Sequence, residues 1–374
     1  MRVAILHDYL NQYGGAERVL EVLLEIFPSA DIYTLLYDKA RTFGKFENNI
    51  KKVSFLNIPF VRRKHRMFIP FMPLASRFLK SKEKYDLVIS STAGYGKGFR
   101  VESPYHVCYC LSPLRYAWEI DYLKDLPFSP WPLKEMVIRP IAKWLRAWDV
   151  KSSSRVNVFF ADSSYIGEKV RAYYKRNAEV IYPPVDVKTF YPERNVINSE
   201  EYYMMAGRLL YYKRFDLGIL ACNKLRKKLK IIGMGPEFEK LKQIADPNYV
   251  SFIKHPEDEE LRRLYSNAKA FIFPQIEDFG LVAAEAQACG VPVIAYNVGG
   301  GPEIVEMRRT GLLFDKQTTD AVIRAIHESD GIKWDRTYIA HHAQRFSKEN
   351  FKKNFIKKLG KCGFCVDSEP TNIV

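Results

Sequence analysis

The chain has 374 residues, of which 47% are hydrophobic, and it carries a formal net charge of +15. This length and composition allow two domains with substantial cores and disfavour a disordered protein. No apolar run reaches the roughly 18 residues that a membrane-spanning helix needs, and the chain opens into an apolar stretch without the layout of a signal peptide. The six cysteines form no disulfide framework, which fits a reducing compartment, so we expect a cytoplasmic protein.

The first residues predict a strand, a glycine loop and a helix. Residues 2–6 are apolar after Arg2 and predict a buried strand, and residues 16–27 have the spacing of an amphipathic helix. Between them, Gly14 and Gly15 would let backbone amides approach an anion closely, although such a pair before a helix is more often a plain turn. Asp8 follows the strand, where it is a candidate for binding an acceptor hydroxyl or, equally, for bonding to a loop.

Positive charge is concentrated between Lys39 and Arg100, where fifteen Lys or Arg residues stand against three acidic ones, a net charge of +12. The centre of this segment, residues 60–80, interleaves basic residues with phenylalanine and methionine. This pattern is typical of a segment that binds an anionic membrane surface, so we expect a peripheral membrane association. The alternative is a solvated basic helix face over an ordinary core. Nucleic acid is disfavoured because no nucleic-acid-binding motif accompanies the charge.

Further apolar runs predict strands at residues 32–36, 85–90, 107–111 and 156–161 in the first half of the chain, and at residues 201–206, 229–233, 250–254 and 310–314 in the second. A helix is predicted over residues 131–155. The glycine-rich stretch after residue 90 lacks the spacing of a phosphate-binding P-loop and reads as a bent loop. The proline segment 180–186 predicts the interdomain linker.

Two basic residues follow the predicted strand 201–206. Arg208 and Lys213 flank a strand-to-helix turn, so both side chains can point to one anion, the arginine as a bidentate fork and the lysine as a point charge. The alternative is a pair of surface residues in a basic protein. No D-x-D motif accompanies them, which favours a reaction that needs no metal.

The stretch from Phe271 to Tyr296 predicts a strand, a loop, a helix that stops before Gly290, and a second strand. In open α/β sheets, ligands bind beyond the carboxyl ends of the strands. Glu277 lies in that loop and Glu285 lies in the helix, about 6 to 8 Å along the helix axis from its start. A nucleotide sugar fits this spacing, with its anion at the helix start and one ring near each carboxylate. An incidental pair of glutamates is the alternative.

The sequence EDFGLVAAE, followed by ACGVPVIA and GGGPEIV, resembles the signature of glycosyltransferase family 4, which are retaining enzymes of GT-B fold. The runs HDYL, GGAERVL and CLSPLRYAW are most similar to the mannosyltransferases that build surface polysaccharides. The resemblance implies an α/β protein of two Rossmann-like domains, with parallel sheets facing across a cleft and a C-terminal helix that crosses back to the N-terminal domain. The implied divisions are an acceptor-side domain over 1–184, a nucleotide-sugar-binding domain over 185–345, and a crossover helix with a short tail over 346–374.

The resemblance also implies a function. A hexosyl unit, with mannose favoured, would move with retention from a nucleoside diphosphate sugar, with GDP-mannose favoured, to a growing and plausibly lipid-linked glycan, without a metal or other cofactor. The implied catalytic residues are Glu277, Arg208 and Lys213. The implied donor-binding residues are Glu285, Phe279, Gly280, Leu281, Gly14, Gly15, Ile253 and Lys254.

The acceptor side includes one departure from the family's pattern. Asp8 and Arg115 are the candidate acceptor-binding residues, with a structural salt bridge as the alternative role of Arg115. Leu111 stands where relatives commonly carry a histidine, so a non-catalytic sugar-nucleotide-binding or lipid-binding subunit stays open, as does a nucleotide-sugar epimerase or phosphorylase. The pair Cys362 and Cys365 reads as free thiols rather than a zinc site.

Overall fold

Two parallel β-sheets organise the structure, a computed structural model that describes residues 1–119, 131–193 and 201–364. Met1–Tyr182 and Pro183–Val374 form two compact units. The boundary between them falls inside the proline segment 180–186, two residues before the predicted division. The roles assigned to the two domains stay predictions.

The first sheet lies in the N-terminal unit and has seven described strands in the order β3-β2-β1-β4-β5-β6-β7, all parallel. These strands are β1 (Val3–Leu10), β2 (Asp31–Tyr37), β3 (Ile50–Val53), β4 (Leu87–Thr92), β5 (His106–Cys110), β6 (Val158–Ala161) and β7 (Ala178–Val180). The helices of this unit are α1 (Gly15–Ile26), α2 (Pro59–Arg63), α3 (Met72–Phe78), α4 (Arg115–Trp118), α5 (Trp131–Ser153) and α6 (Ser164–Tyr174).

The second sheet lies in the C-terminal unit and has six described strands in the order β10-β9-β8-β11-β12-β13, again all parallel. Its strands are β8 (Tyr202–Ala206), β9 (Lys228–Ile232), β10 (Val250–Ile253), β11 (Ala270–Phe273), β12 (Val293–Tyr296) and β13 (Gly311–Phe314). The helices are α7 (Phe215–Leu225), α8 (Phe238–Ile244), α9 (Asp258–Asn267), α10 (Leu281–Ala288), α11 (Gly301–Ile304), α12 (Thr319–Asp330), α13 (Arg336–Ala343) and α14 (Lys348–Lys361).

Burial explains why the central strands form. β4 and β5 are buried at every position, as expected for strands covered by helices on both faces of a parallel sheet. The helix α1 shows a different pattern, because Glu17, Val19, Leu20, Val22 and Leu23 are buried and its remaining residues are closer to solvent. Because buried positions are continuous in these strands but interrupted in the helix, the pattern of apolar residues in the sequence distinguishes the two kinds of element.

When the strands of each sheet are numbered from its first strand, both sheets contain the order 3-2-1-4. The chain therefore adds strands first on one side and then on the other side of the first strand of each sheet. In the N-terminal unit this switch point lies between β1 and β4, and in the C-terminal unit it lies between β8 and β11. Ligands of open α/β sheets bind in the crevice beyond the carboxyl ends of the strands at such a switch point. A ligand site is therefore expected in the loops that follow β8 and β11.

The predicted strands and long helices are confirmed within a few residues, but two edge strands were not predicted. β3 carries two exposed lysines, and β7 has three residues and none of them is buried. Edge strands of this kind lack the buried apolar run that identifies a central strand. No helix in the described ranges has both the length and the apolar character required to cross a membrane.

Candidate active site

The loop after β8 begins with Gly207, whose backbone conformation favours glycine. Gly207 has φ +138°, and a Cβ atom at this position would lie 3.1 Å from the Nζ atom of Lys213. The lysine side chain is thereby folded against the start of the loop. Arg208, the next residue, is exposed and forms no ion pair or side-chain hydrogen bond with any described residue. An exposed guanidinium next to a folded-in ammonium leaves one cation available for a ligand.

The loop after β11 brings Glu277 to the same lysine. The Lys213 Nζ and Glu277 Oε1 atoms are 2.5 Å apart, and the two side chains expose 13% and 20% of their surface. The Gln275 side-chain amide lies 3.5 Å from the same carboxylate oxygen. Lys213 and Glu277 come from the two loops that flank the switch point, 64 positions apart in sequence. The structure therefore joins two predicted site residues in one ion pair.

Three consecutive glycines hold the Glu277 loop in place. Gly300 donates its backbone N–H to the Glu277 carbonyl oxygen at 2.8 Å. A Cβ atom at Gly299 would lie 2.4 Å from that oxygen, and one at Gly300 would lie 1.7 Å from the Phe279 carbonyl oxygen. Real Cβ atoms do not approach backbone so closely, so the glycine turn after β12 is required by the β11 loop against which it packs.

The start of α10 is built by Gly280, the residue that precedes the helix. Gly280 has φ +105°, and a Cβ atom there would lie 2.5 Å from the ring of Phe273. Phe279 is 3% exposed and its ring packs edge-on against Phe346 at a centroid distance of 5.2 Å. A donor could therefore reach Phe279 only through its backbone. Leu281 is half-buried at the first helical position.

Glu285 lies on the fifth residue of α10 and is 3% exposed. Its Oε2 atom accepts a hydrogen bond from the Tyr265 hydroxyl at 3.4 Å. The expected spacing from the helix start is thus present, and the carboxylate is more deeply buried than a surface glutamate would be. Its role in holding ribose hydroxyls stays a prediction.

The neighbouring strands supply the remaining donor candidates. Ile253 ends β10, and its carbonyl oxygen accepts a hydrogen bond from the Gly233 N–H at 3.0 Å. Lys254 is exposed and its ammonium lies 4.8 Å from the centroid of the Phe238 ring. A Cβ atom at Gly233 would lie 2.0 Å from the Gly207 carbonyl oxygen, so the loops after β8 and β9 pack through glycine.

In the N-terminal unit, Asp8 is engaged by the loop that follows β4. Its carboxylate accepts hydrogen bonds from the Thr92 hydroxyl at 2.6 Å, the Ala93 N–H at 2.7 Å and the Gly96 N–H at 2.6 Å. Asp8 is 6% exposed. The loop-bonding alternative left open by the sequence is thus present in the structure, while acceptor binding by Asp8 stays a prediction.

The glycine loop before α1 contains a carboxylate that the sequence analysis missed. The Gly14 N–H donates to the Glu17 Oε2 atom at 2.8 Å, and the Glu17 Oε1 atom lies 4.0 Å from the Nε2 atom of His7. The G-x-x-E spacing of a capping box at a helix start was the signal that could have found it. The Gly14 amide is therefore already occupied, and donor contact by Gly14 and Gly15 stays a prediction.

The remaining acceptor candidate lies on the short helix α4. Arg115 is half-buried, and its Nε atom donates to the Ser112 hydroxyl at 3.4 Å. Leu111, at the position of the expected histidine, directly follows β5 and is half-buried. Neither observation assigns an acceptor to this unit.

A buried ion pair fixes the loop after β4. The Lys97 Nζ atom lies 2.6 Å from Asp149 Oδ1 and donates to the Gly94 carbonyl oxygen at 2.6 Å. The other carboxylate oxygen of Asp149 accepts from the Trp118 indole at 2.8 Å and the Tyr174 hydroxyl at 2.7 Å. Burial by itself would lower the pKa of Lys97, but the charge of Asp149, its hydrogen bond to Lys97 and the nearby Cys108 and Cys110 together outweigh burial and raise that pKa. This lysine is structural, which agrees with the rejected P-loop.

Among the described residues, no group of three or more His, Cys, Asp or Glu side chains is placed to bind a metal ion. Cys108, Cys110, Cys222, Cys289 and Cys362 are free thiols. Cys365, the partner in the predicted pair of free thiols, lies outside the described residues.

Comparison with known proteins extends these observations. Residues 187–329 match the family described as glycosyl transferases, group 1. A GDP-mannose-dependent α-(1-6)-phosphatidylinositol monomannoside mannosyltransferase of Mycobacterium tuberculosis is 31% identical over 176 residues, which is 40% of this chain and 46% of the relative. An uncharacterized glycosyltransferase of Methanocaldococcus jannaschii is 28% identical over 356 residues, covering 93% of this chain and 94% of the relative. The chain spans about half the length of the mycobacterial relatives it matches.

Solved structures match the fold over nearly the whole chain. Two structures of HepE from Anabaena, in complex with UDP and with UDP-glucose, have TM-scores of 0.69 and 0.68 at 18% and 17% identity. Each match covers 96% of this chain and 100% of HepE.

Two doubly wound parallel sheets with these structural neighbours define the GT-B fold, so the predicted fold class is confirmed. Lys213, Glu277 and Glu285 lie within residues 187–329, which match this family. The Glu277 stretch lies inside residues 187–329, the part of the chain that matches the group 1 glycosyl transferases, in agreement with the resemblance seen in the sequence.

Proposed function

We propose that this protein transfers a glycosyl unit from a nucleoside diphosphate sugar to a hydroxyl group of an acceptor. The observation that carries the proposal is the Lys213–Glu277 pair beside exposed Arg208, at the switch point of the matched domain. In a glycosyl transfer the leaving diphosphate gains negative charge, and fixed cations can stabilise it. We assign Arg208 and Lys213 to the diphosphate, Glu277 to the donor sugar and Glu285 to the ribose.

The donor that we favour is GDP-mannose, because the mycobacterial relative is GDP-mannose-dependent. HepE was solved with UDP and UDP-glucose, so uridine nucleotides belong in the same screen. We further propose that the transferred unit is mannosyl, that the anomeric configuration is retained, and that no metal takes part. The last point rests on the two cations at the predicted diphosphate position. Chelation with EDTA should then leave turnover unchanged.

A direct test measures release of GDP or UDP from the matching nucleotide sugars with and without a saccharide acceptor. Release that requires the acceptor supports transfer, and the anomeric configuration of the product tests retention. Release that requires inorganic phosphate in place of a saccharide would instead indicate a phosphorylase, and conversion of the donor sugar without nucleotide release to an acceptor would indicate an epimerase. Nucleotide binding without release by any acceptor would indicate a binding subunit, which Leu111 in place of histidine keeps as the second candidate.

The acceptor that we favour is a lipid-linked glycan presented at an anionic membrane surface, on the cytoplasmic face. The support lies in residues 60–80, where Phe60, Phe71 and Phe78 expose more than half of their surface and Arg63 and Lys64 are exposed. Liposome flotation with and without anionic lipid tests this proposal. Vesicle binding that depends neither on lipid charge nor on salt concentration would contradict it.

A further inference from the structure

A cavity of about 270 Å³ lies in the N-terminal unit between α3, the residues after β4, and α5. Its polar lining is cationic, with Arg77 from α3, Arg100 from the extended segment before β5, Lys151 from α5 and Arg155 just after it. None of these residues belongs to the predicted donor or acceptor set. The cavity is therefore a feature that the proposed transfer does not use.

The four cations have no carboxylate partner among the described residues. The side chains of Arg77, Arg100 and Lys151 form no ion pair or hydrogen bond within the described ranges, and Arg155 donates only to the Gly98 carbonyl oxygen, at 3.2 Å. Burial, together with the charge of Arg100, lowers the pKa of Arg155. Two guanidinium groups that repel each other around an open cavity favour an anion between them.

A larger cavity, of about 410 Å³, offers a contrast. It lies in the C-terminal unit and includes Lys269 and Arg336. Lys269 pairs with Glu201 at 3.0 Å and Asp330 at 3.1 Å, and Arg336 donates to backbone carbonyl oxygens of α9 and its C-terminal end. Two of its three cations, Lys269 and Arg336, thus have partners within the protein, whereas Lys333 and the N-terminal cations form no ion pair with described residues.

The rim of the N-terminal cavity is apolar and exposed. Leu74 and Trp144 line it and expose 47% and 48% of their surface. Phe71, Leu74 and Phe78 follow one another at spacings of three and four residues, so they share one face of a short helical segment, and all three are exposed. The floor is closed by Trp148, whose ring occupies the space where a side chain on Gly98 would be. A free inorganic anion would use the cations but would leave this apolar face without a function.

We propose that this cavity binds the phosphate of an anionic phospholipid headgroup while Trp144, Leu74 and the neighbouring phenylalanines enter the membrane interface. A phospholipid has the required order of groups, an anion followed by apolar chains, and tryptophan is enriched at membrane interfaces. The inference deepens the proposed function, because it rests on the part that brings residues 60–80 to an anionic membrane, and it is independent of glycosyl transfer.

The test compares vesicle binding of the whole protein with that of R100Q/R155Q. Vesicles of phosphatidylcholine with phosphatidic acid, and of phosphatidylcholine alone, serve as the probes in a co-sedimentation assay. Loss of two charges near an anionic surface should weaken binding to the anionic vesicles roughly 30-fold. K353Q/K357Q, which removes two exposed charges from α14 in the other unit, is the matched control and should change binding less than threefold.

Tryptophan fluorescence tests the geometry separately. The anionic vesicles should shift the emission of the wild type to the blue, brominated lipid should quench it, and W144F should lose most of both effects. A circular-dichroism spectrum and a thermal unfolding midpoint establish that each variant folds. The wild-type shift should not appear with inorganic phosphate at concentrations up to those of the lipid phosphate.

Four outcomes would overturn the proposal. They are equal weakening in R100Q/R155Q and the control, an unchanged tryptophan signal on vesicle binding, an equal signal with inorganic phosphate, and tighter binding of a single-stranded oligonucleotide than of the vesicles. If the wild-type protein did not bind either kind of vesicle, the membrane part of the proposed function would be refuted as well. Acceptor-dependent nucleotide release with a water-soluble saccharide should be the same in wild type and R100Q/R155Q, so failure of transfer is detected independently.

Discussion

Replacement of Glu277 by glutamine should separate donor binding from turnover. In the structure the Glu277 carboxylate neutralises Lys213 across 2.5 Å, and Arg208 beside them is exposed. Glutamine keeps the shape of the side chain but removes its charge, so it no longer competes with a diphosphate for the Lys213 ammonium. The same change removes the carboxylate that we assign to the donor sugar. Binding of a nucleoside diphosphate and the rate of transfer should therefore respond differently.

The magnitudes follow from the exposure of the pair. Opposite unit charges at about 4 Å attract by roughly 1 kcal/mol in water and about 4 kcal/mol at an effective dielectric constant of 20. Because the two side chains expose only 13% and 20% of their surface, their attraction lies between these figures. Desolvation of the incoming diphosphate offsets part of it, so the net change in ligand binding is near the lower figure. E277Q should thus bind GDP or UDP as tightly as wild type or up to about fivefold more tightly. Its turnover should fall more than tenfold, about 1.4 kcal/mol of activation free energy.

The lysine variant completes a double-mutant cycle. K213M should weaken binding of the nucleoside diphosphate at least fivefold, because it removes a cation and leaves Glu277 uncompensated beside the anion. K213M/E277Q should bind more tightly than K213M, since the second change removes that repulsion. Isothermal titration calorimetry with GDP and UDP measures binding, and acceptor-dependent nucleotide release measures turnover.

The control for charge removal is E259Q, which breaks an exposed Glu259–Arg263 pair on α9. It should leave both measurements unchanged. If E277Q retained at least half of the wild-type turnover, Glu277 would have no catalytic role. If the double variant bound no better than K213M, the carboxylate would not face the anion, and the assignment of the two loops to one ligand would be wrong.

Three further changes test the architecture. Gly300→Ala would place a methyl group 1.7 Å from the Phe279 carbonyl oxygen, so it should lower the free energy of unfolding by at least about 2 kcal/mol in urea titration and reduce turnover at least tenfold. K97M would leave Asp149 buried without its cation and should cost about 3 to 5 kcal/mol in the same assay. Burial, with the charges of Arg155 and Lys97, lowers the pKa of His106 from 6.5 to about 3, so its contribution to stability is complete above pH 6.5 and is lost as the pH falls towards 3. The free energy of unfolding should therefore drop by about 2 kcal/mol from pH 7 to pH 5 through this residue, and H106Q should remove that dependence.

Each change has a comparison that isolates its cause. Gly360 has nothing within 4 Å of an added Cβ atom and lies inside α14, so Gly360→Ala should stabilise by about 0.5 to 1 kcal/mol. K97M/D149N should recover much of the stability lost in K97M, because no buried charge is left alone and the asparagine oxygen can still accept from Trp118 and Tyr174. A Gly300→Ala variant as stable and active as wild type, a K97M variant no less stable than the double variant, or an H106Q variant with unchanged pH dependence would contradict the respective argument.

Local patterns were enough to predict the unit around Glu277. The observed strand β11 begins one residue before the predicted stretch, and α10 ends at Ala288, before Gly290 as predicted. An apolar run that ends at Pro274, and an alanine-rich stretch that ends at Gly290, leave few alternative structures for this part of the chain. Where the signal is a buried run with a clear stop, sequence alone predicts both the type and the limits of an element.

The N-terminal site residues show what local patterns cannot supply. Asp8 bonds to a loop more than 80 positions away, and Lys97 pairs with Asp149 on a distant helix. Nothing in the neighbourhood of either residue predicts its partner, because the pairing arises when parallel strands and their helices pack together. Glu17 is different, since the capping-box spacing from Gly14 was present in the sequence.

The ion pair between Lys213 and Glu277 changes how the predicted site must work. The sequence assigned the two charges to different parts of one donor, the lysine to the diphosphate and the carboxylate to the sugar. The structure instead places them 2.5 Å apart, with Arg208 as the neighbouring cation that no described residue engages. An incoming diphosphate would meet Arg208 and compete with Glu277 for the lysine. We therefore expect donor binding to release the carboxylate for the sugar, so that Glu277 acquires its role only when the anion is bound.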